Sequence, residues 1–364
     1  MAASSSLTLV GPVELHELLA CTAPPLVLDA SSGGEPPAST LPSAVVVRLS
    51  ELDVSLESAP GQPQLVSGNY SLLPPAELKF ALQAIGVTHN RRCIVYTQSR
   101  KCGIIDAAVA ARLAWCLSYA GVEHVSLLAG GLAAWMDAGL PTGVPAERQG
   151  ADDFFAGVGG VPFPRCPHYD AQTAEVEAAV RGAGVGRTQL ADVRSWREFS
   201  GGGHDYPFAL PRGRIPGALW AHWGPSTYVG GDFFTTAAAG ALLSYDCEQT
   251  AELWSAWGLE VGSESSCRVV FYCGSGWRSA VGWCLARLLG HSDCASYDGG
   301  FLEWAMLHER AAEHAVERDV SDVRPVVAPA SSNASGWPAC ACPCRQDHPS
   351  FDQHRAAQAA ASCT

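Results

Sequence analysis

The stretch RVVFYCGSGWRSAVGWCLARLLG, residues 268–290, contains the signals of a strand, a glycine-rich turn and a helix in direct succession. Residues 269–272 are β-branched or aromatic, which favours a buried strand. From about Ser279 onward the apolar residues follow a helical spacing. The turn begins with Cys273, so the sequence places a thiol where a strand ends and a helix N-terminus is expected.

The overall composition indicates sizeable apolar cores and an acidic surface. Of the 364 residues, 48% are hydrophobic and 16% are charged, and the formal net charge is −13. A chain of this length predicts two domains rather than one. So acidic a chain lacks the basic face that nucleic-acid binding requires, and no apolar run reaches the roughly 18 residues of a membrane span. We therefore expect neither a nucleic-acid nor a membrane partner.

The cysteines and the N-terminal residues bear on the cellular compartment. The 14 cysteines are scattered along the chain, whereas a secreted disulfide scaffold has them at short, regular spacings. Residues 1–15 contain neither Lys nor Arg, so no secretory or transit segment is evident. Both features predict a cytoplasmic protein.

The chain repeats itself. Four short stretches recur in one order, about 170 residues apart, which indicates two homologous domains. The matched pairs are LVLDA (26–30) with QLADV (189–193), LPSAVVVRL (41–49) with IPGALWAHW (215–223), RCIVYT (92–97) with RVVFYC (268–273), and AGGLAAW (129–135) with DGGFLEW (298–304).

Strand and helix candidates alternate within each repeat. This alternation predicts an α/β fold in which each domain has a mainly parallel sheet with helices on both faces. Loops at the carboxyl ends of parallel strands form the sites of such folds, and Cys273 lies at such an end. The predicted strands are 26–29, 44–47, 93–96, 125–128, 189–193, 218–220, 268–272 and 294–297, and the predicted helices are 75–85, 104–119, 171–181, 248–257 and 279–289.

Composition shifts along the chain predict the domain boundaries. A first domain spans residues 7–145, a linker rich in Gly and Pro spans 146–167, and a second domain spans 168–312. Residues 313–364 lose periodicity and predict a disordered tail that contains the cysteine cluster CACPC at 340–344. This cluster lacks the Cys-x2-Cys spacing and second ligand pair of a zinc site, so we expect no metal.

The turn after Cys273 has the features of an anion cradle. An ordinary thiol has a pKa of about 8.5, and backbone N–H groups at a helix N-terminus lower such values because they stabilise the thiolate. Glycines let the turn curl so that its amides face inward. A buried structural cysteine is the alternative, but the pattern Cys-Gly-Ser-Gly-Trp-Arg-Ser favours catalysis. The turn residues that would surround the sulfur are Gly274, Ser275, Gly276, Arg278 and Ser279.

Four motifs resemble the second domain of tandem rhodanese-type sulfurtransferases, and the resemblance extends more weakly over residues 7–310. It implies that Cys273 accepts a sulfane sulfur as a persulfide and that Gly274–Arg278, including Trp277, forms the cradle. It also implies that Arg194 reaches the anionic group of the donor, although pairing with Asp192 or Glu198 is the alternative. The motifs are CGSGWRS (273–279), DVRSWREFSG (192–201), GRIPGALW (213–220) and YDGGFLEW (297–304).

The resemblance also implies the partners of the reaction. The family includes thiosulfate and 3-mercaptopyruvate sulfurtransferases, which use a small-molecule sulfur donor and pass the sulfur to cyanide or to a thiol such as thioredoxin or glutathione, without a cofactor. The opening Cys-Gly-Ser-Gly resembles the mercaptopyruvate type, whereas Trp277 and Arg278 resemble a bacterial-type branch described as thiosulfate sulfurtransferases. Both donors therefore stay open.

The loop length separates this chemistry from that of a related fold. Cysteine phosphatases of similar fold need Cys-x5-Arg, because a longer ring must admit a phosphate. Here Arg278 follows Cys273 after four residues, which suits one sulfur atom better. This spacing disfavours a phosphatase.

The first domain is expected to be catalytically silent. Thr97 stands where the second domain has Cys273, and a Thr hydroxyl does not ionise at neutral pH. Its expected task is to pack against the second domain and close one wall of the pocket, where Trp277 is either a wall residue or packed between the domains. A non-catalytic module for partner binding or redox sensing is the competing interpretation, and the complete loop at Cys273 argues against it.

Overall fold

Two parallel β-sheets, one in each half of the chain, organise the protein. The computed structural model describes residues 6–31, 37–54, 70–98, 103–158, 160–182, 186–202, 212–221 and 247–309. In the first half, the sheet has the order β1-β5-β4-β2-β3 and every pairing is parallel. Its strands are β1 (Ser6–Val10), β2 (Leu26–Ser31), β3 (Val45–Arg48), β4 (Cys93–Thr97) and β5 (His124–Leu128).

Helices connect these strands, as parallel pairing requires a crossover between neighbouring strands. The longest of them, α3, is apolar over almost its whole length, which suits a helix that is covered on more than one side. The helices of the first half are α1 (Pro12–Leu19), α2 (Pro75–Ile85), α3 (Gly103–Ala120) and α4 (Gly131–Asp137), with a 3₁₀ turn at Leu49–Glu51.

The second half repeats this topology. Its sheet has the order β7-β6-β8-β9, again with every pairing parallel, and a parallel bridge from Asp170 to Ser296 lies beside β9 where β1 lies beside β5. The strands are β6 (Thr188–Asp192), β7 (Leu219–Trp220), β8 (Arg268–Tyr272) and β9 (Cys294–Ser296). The helices are α5 (Thr173–Val180), α6 (Trp196–Phe199), α7 (Cys247–Ala256), α8 (Trp277–Leu288) and α9 (Gly300–Glu309), with a 3₁₀ turn at Pro167–Tyr169.

The two sheets confirm the predicted α/β fold. Every predicted strand and helix is present, with ends within two residues of the predicted ones. Sequence patterns did not predict β1, α1, α4, α6 and α9, because these elements are short or follow directly on a turn. The order β5-β4-β2-β3 matches β9-β8-β6-β7 strand for strand, so equivalent positions in the two halves can be compared.

The halves meet through helices α3 and α8, which pack against each other. Residues of both helices belong to one continuous apolar core. Cys284 of α8 lies with its Sγ 3.7 Å from the Ala111 carbonyl of α3, and the Trp115 indole N–H donates to the Tyr169 carbonyl at 2.9 Å. This packing brings the first half close to the N-terminus of α8.

The described residues of the segment predicted as a linker, 146–158 and 160–166, contain neither helix nor strand, and they lie along the first half. Phe154 is fully buried, and its carbonyl accepts from the His89 amide at 2.9 Å. The Arg165 amide donates to the Ala120 carbonyl at 3.2 Å. The cysteine cluster of the predicted tail lies outside the described residues. No helix among the described ranges combines the length and apolar character needed to cross a membrane.

Candidate active site

Cys273 lies at the carboxyl end of β8, between neighbours β6 and β9, and is fully buried. Its carbonyl accepts from the Phe301 amide at 2.7 Å, and the Gly274 carbonyl accepts from the Leu302 amide at 3.0 Å. These bonds hold both carbonyls of the turn against the first turn of α9. The following turn, Ser275–Gly276, leads directly into α8.

Two backbone amides of this turn, those of Ser275 and Gly276, differ from the bonded carbonyls described above. Among the described residues, no oxygen accepts a hydrogen bond from the amides of Ser275 or Gly276. Both residues are buried, and amides in such a turn can bind water or an anion. These two amides support the expected cradle beside the Cys273 thiol, which stays a prediction.

Two glycines allow the turn to close against α9. Gly276 has φ +83° and Gly300 has φ +59°, which are left-handed conformations that side chains resist. A Cβ at Gly276 would lie 2.6 Å from the Asp298 carbonyl oxygen, and one at Gly300 would lie 2.7 Å from the Gly274 oxygen. Neither position can accept a side chain without displacing the backbone around Cys273.

The Ser279 hydroxyl is committed to the turn itself. Its Oγ donates to the Gly276 carbonyl at 2.9 Å and lies 2.8 Å from the Ser296 hydroxyl. Ser279 therefore fixes the start of α8, and direct contact between its hydroxyl and the sulfur stays a prediction. Ser275, with 8% of its surface exposed, lies in the turn between Cys273 and α8.

Arg278 brings a buried cation whose charge is already balanced. Its guanidinium donates to both carboxylate oxygens of Glu198, at 2.8 and 3.0 Å. Burial opposes ionisation of Glu198, but the Arg278 charge outweighs it and holds the pKa of that carboxyl at about 2. The pair ties α8 to α6, where Glu198 also forms a capping box with Ser195. The sequence offered Glu198 only as an alternative partner of Arg194 and not as the partner of Arg278, although the Ser-x-x-Glu spacing predicts its capping box.

Arg194 is likewise paired with a neighbour. Its Nη2 donates to Asp192 Oδ2 at 2.7 Å and to the Gly213 carbonyl at 2.8 Å, and only 1% of the residue is exposed. The guanidinium also lies 4.1 Å from the centre of the Phe301 ring. This is the Asp192 pairing that the sequence offered as an alternative, and a role of Arg194 in donor binding stays a prediction.

Trp277 lies between the two halves. Its indole N–H donates to Asp53 Oδ2 of the first half at 2.7 Å. Asp53 in turn accepts from Arg112 of α3 at 3.0 Å, and Arg112 also pairs with Asp298, next to the cradle. Burial is the main cause that raises the pKa of Asp53 to about 7, although Arg112 opposes it.

Sequence patterns missed this network. Arg112 is the sole Lys or Arg in α3, a largely apolar helix, and an isolated cation of that kind signals a buried ion pair. Its partners could not be found in this way, because Asp53 and Asp298 lie 59 and 186 residues away along the chain.

Other buried thiols are poor nucleophiles. Burial raises the pKa of Cys93 and of Cys294 to about 12, and it also raises the pKa of Cys116 and of Cys284. These four side chains are held in apolar surroundings as neutral thiols. They provide controls for experiments on Cys273.

Comparisons with known proteins agree with the geometry. A family model described as "Rhodanese-like domain" matches residues 174–307, which include Cys273 and its cradle. The thiosulfate sulfurtransferase YnjE of Escherichia coli is 33% identical over 231 residues, which are 63% of this chain. The chain spans only 48% of that relative.

Two further relatives match over longer shares of their own length. A putative thiosulfate sulfurtransferase, SseB of Mycobacterium tuberculosis, is 28% identical over 272 residues, which are 73% of this chain and 80% of the relative. The 3-mercaptopyruvate sulfurtransferase of Escherichia coli is 26% identical over 238 residues, or 64% of this chain and 72% of the relative.

Solved structures show the same fold. The crystal structure of YnjE superposes with a TM-score of 0.64 at 26% identity, covering 87% of this chain and 69% of that one. The wild-type structure of EanB has a TM-score of 0.64 at 24% identity, covering 86% of this chain and 69% of that one, and it supports the fold alone.

Proposed function

We propose that this chain, which matches the rhodanese-like domain model over residues 174–307 and resembles named sulfurtransferases, moves a sulfane sulfur from thiosulfate, or from 3-mercaptopyruvate, to a thiol or cyanide acceptor through a persulfide on Cys273. One observation carries the proposal. The buried Cys273 thiol lies beside two amides without a described acceptor, at the point where β8 ends and α8 begins.

The cradle explains why this sulfur would react. A thiolate is the nucleophilic form, and inward-facing amides at a helix N-terminus stabilise negative charge on sulfur. The same amides can stabilise the terminal sulfur of a persulfide, which is also an anion. Because the site is buried, few water molecules compete with these hydrogen bonds.

The proposed reaction balances in two steps. The Cys273 thiolate attacks the outer sulfur of thiosulfate, a new S–S bond forms, the old S–S bond breaks, and sulfite leaves with the electron pair. An acceptor thiolate, of a small thiol or a thioredoxin-like protein, then attacks the outer sulfur of the persulfide. Cys273 leaves as a thiolate, so no external oxidant or reductant is needed.

The donor is bound in part by backbone groups in this proposal. Both arginines that the sequence placed near the donor are paired with carboxylates, Arg194 with Asp192 and Arg278 with Glu198. The net charge of each Arg–carboxylate pair is therefore small. The turn amides would then form a larger share of the contacts that bind the donor. Relatives named for thiosulfate and for 3-mercaptopyruvate support both donors. The cytoplasmic location and the domain boundaries stay predictions.

Intact-protein mass spectrometry after incubation with thiosulfate tests the proposal. We expect the wild-type chain to gain the mass of one sulfur atom and to lose it again when a thiol acceptor is added. Cys273→Ser should gain none, whereas Cys21→Ser, which removes an exposed thiol, and Cys294→Ser, which removes a buried one, should behave as wild type.

The result also separates the competing function. If neither thiosulfate nor 3-mercaptopyruvate yields an adduct that depends on Cys273, the chain is a non-catalytic module and the proposal is wrong. If both yield it, the ratio of kcat/KM for the two donors identifies the preferred one.

A further inference from the structure

We propose that Arg112 of the first half is a positioning residue for the cradle of the second half. Its guanidinium, acting through Asp298 and Asp53, holds the turn Gly276–Trp277 in the orientation that presents the amides to Cys273. This inference rests on the proposed sulfurtransferase function and adds a role for the half that lacks a thiol.

The first step is the geometry of Arg112 itself. The side chain projects from α3 and is fully buried. Nη2 donates to Asp53 Oδ1 at 3.0 Å and to the Tyr70 carbonyl at 3.1 Å, and Nη1 donates to Asp298 Oδ1. One guanidinium therefore joins two carboxylates from the two halves of the chain.

The second step is the contact with the turn. A Cβ on Gly276 would lie 3.1 Å from Arg112 Nη1, so the guanidinium lies directly against the Gly276 backbone. The Trp277 indole N–H donates to Asp53 Oδ2 at 2.7 Å, on the other carboxylate that Arg112 holds. Arg112 thus fixes Gly276 by direct packing, and it fixes Trp277 through Asp53, which accepts the indole hydrogen bond.

The third step leads to the other side of Cys273. Asp298 lies two residues before Gly300, where α9 begins, and α9 binds the carbonyls of Cys273 and Gly274. The first half holds Asp298 twice, through Arg112 and through the Leu72 amide, which donates at 2.8 Å. Arg112 therefore anchors both the amide side and the carbonyl side of the cradle.

Electrostatics makes this anchor strong. Removing one member of a buried ion pair leaves an uncompensated charge, which the protein accommodates by moving the surrounding groups. Here two carboxyl groups share Arg112, so its loss would leave both of them buried beside Gly276 without the cation that they contact. A shift of the reacting geometry by about 1 Å can lower a rate by about a hundredfold.

Arg112→Met and Arg112→Lys test the proposal against Arg268→Met. Arg268 is the first residue of β8, at the end of the strand remote from Cys273, and it pairs with Glu175 and Asp293. Arg268→Met therefore controls for the loss of an arginine ion pair that does not contact the turn. The limiting rate and half-saturating thiosulfate concentration of persulfide formation are measured in single turnovers. Nitrogen–proton correlation NMR spectra report the Ser275 and Gly276 amides independently of catalysis.

We expect Arg112→Met to lower the limiting rate by about tenfold or more. Arg112 makes no direct contact with the donor in this proposal, so the half-saturating concentration should change by less than about twofold. Arg112→Lys should restore part of the rate, and both variants should shift the Ser275 and Gly276 amide resonances. Arg268→Met should change neither the rate nor these resonances.

Equal effects of Arg112→Met and Arg268→Met on rate and resonances would overturn the inference. If Arg112→Met does not fold, Asp53→Ala replaces it; because it removes only the contacts on the Trp277 side, we expect a smaller loss of rate and a shift of the Trp277 indole resonance. Unchanged values in that variant would also overturn the inference. If the wild-type chain takes sulfur from neither donor, the proposed function is wrong, and the amide resonances alone decide whether Arg112 positions the turn.

Discussion

The carboxyl ends of β4 and β8 share one hydrogen-bonded frame. In the first half, the Tyr96 hydroxyl donates to Asp29 Oδ2 at 2.8 Å and accepts from the Leu41 amide at 3.1 Å. In the second half, the Tyr272 hydroxyl accepts from the Ile215 amide at 3.2 Å and hydrogen-bonds Asp192. The frame therefore joins equivalent strands and loops in both halves.

The side chains on this frame differ. Thr97 follows Tyr96, whereas Cys273 follows Tyr272. Asp29 accepts from the neutral amide of Gln98, while Asp192 is paired with the Arg194 guanidinium. Because the first half retains the frame without a thiol at position 97, the Asp–Tyr pair is a feature of the fold, and under the proposed function the chemistry depends on Cys273 and its turn.

Exchanging the two residues that follow the tyrosines should have the largest effect. Cys273→Thr gives the second half the side chain of the first, and we expect sulfur transfer to fall by about a thousandfold or more, because the nucleophile is gone. Thr97→Cys should gain no activity, since the following residues lack the glycine turn. Persulfide mass measurements check both variants; an adduct on the thiol introduced by Thr97→Cys would show that the frame alone is sufficient.

A feature could be predicted from the sequence when the residues that determine it lie close together along the chain. The strands RCIVYT and RVVFYC, their helices and the turn at Cys273 depend on neighbouring residues, and these predictions are confirmed as structural elements. Their alignment between the halves also predicted the shared topology.

Partners that are distant along the chain could not be predicted. Arg278 carries a cation beside the turn as expected, but its partner Glu198 lies 80 residues earlier, and the network of Arg112 joins residues 53 and 298. Spacing within a motif reveals which groups are charged. It does not reveal which charges are neutralised, and that depends on how the elements pack.

Asp192→Asn should have the second-largest effect, now on stability. It removes the carboxylate that holds the buried Arg194 guanidinium, and breaking such a pair costs about 3–5 kcal/mol. The free energy of unfolding in urea is the measurement. Gln189→Ala on the same strand is a control for the loss of one polar side chain. If Asp192→Asn lowers the free energy of unfolding by no more than Gln189→Ala does, the assigned role of the ion pair is wrong.

Gly300→Ala should have the third-largest effect, on the rate of persulfide formation. The new Cβ would collide with the Gly274 carbonyl and displace the turn, so we expect a loss of about a hundredfold in persulfide formation. Gly131, its equivalent in the first half, has a similar φ of +57°. Gly131→Ala should therefore carry a similar backbone strain of about 1–2 kcal/mol but leave the rate unchanged. Equal rates in the two variants would show that the turn tolerates displacement.

Asp29→Asn should have the smallest effect, on the pH dependence of stability. It tests most directly how Asp29 of the first half differs from Asp192 of the second. Burial raises the pKa of Asp29 from 3.8 to about 6, against the hydrogen bonds from Gln98 and Tyr96. Because the folded chain binds this proton more tightly than the unfolded chain, the stability from this group is complete below pH 3.8 and is lost as the pH rises through about 6.

Asp29→Asn removes that titration. Among the described residues, Oδ1 of Asp29 has no hydrogen-bond partner, so the carboxylate is poorly compensated once it ionises. The variant should lose less stability than wild type between pH 4 and pH 7, by on the order of 2 kcal/mol. Unfolding in urea at several pH values measures this, with Asp152→Asn at an exposed carboxyl as control. A pH dependence identical to wild type would mean that the charge of Asp29 is compensated in solution as fully as that of Asp192. The difference between the two halves would then be limited to Thr97 and Cys273.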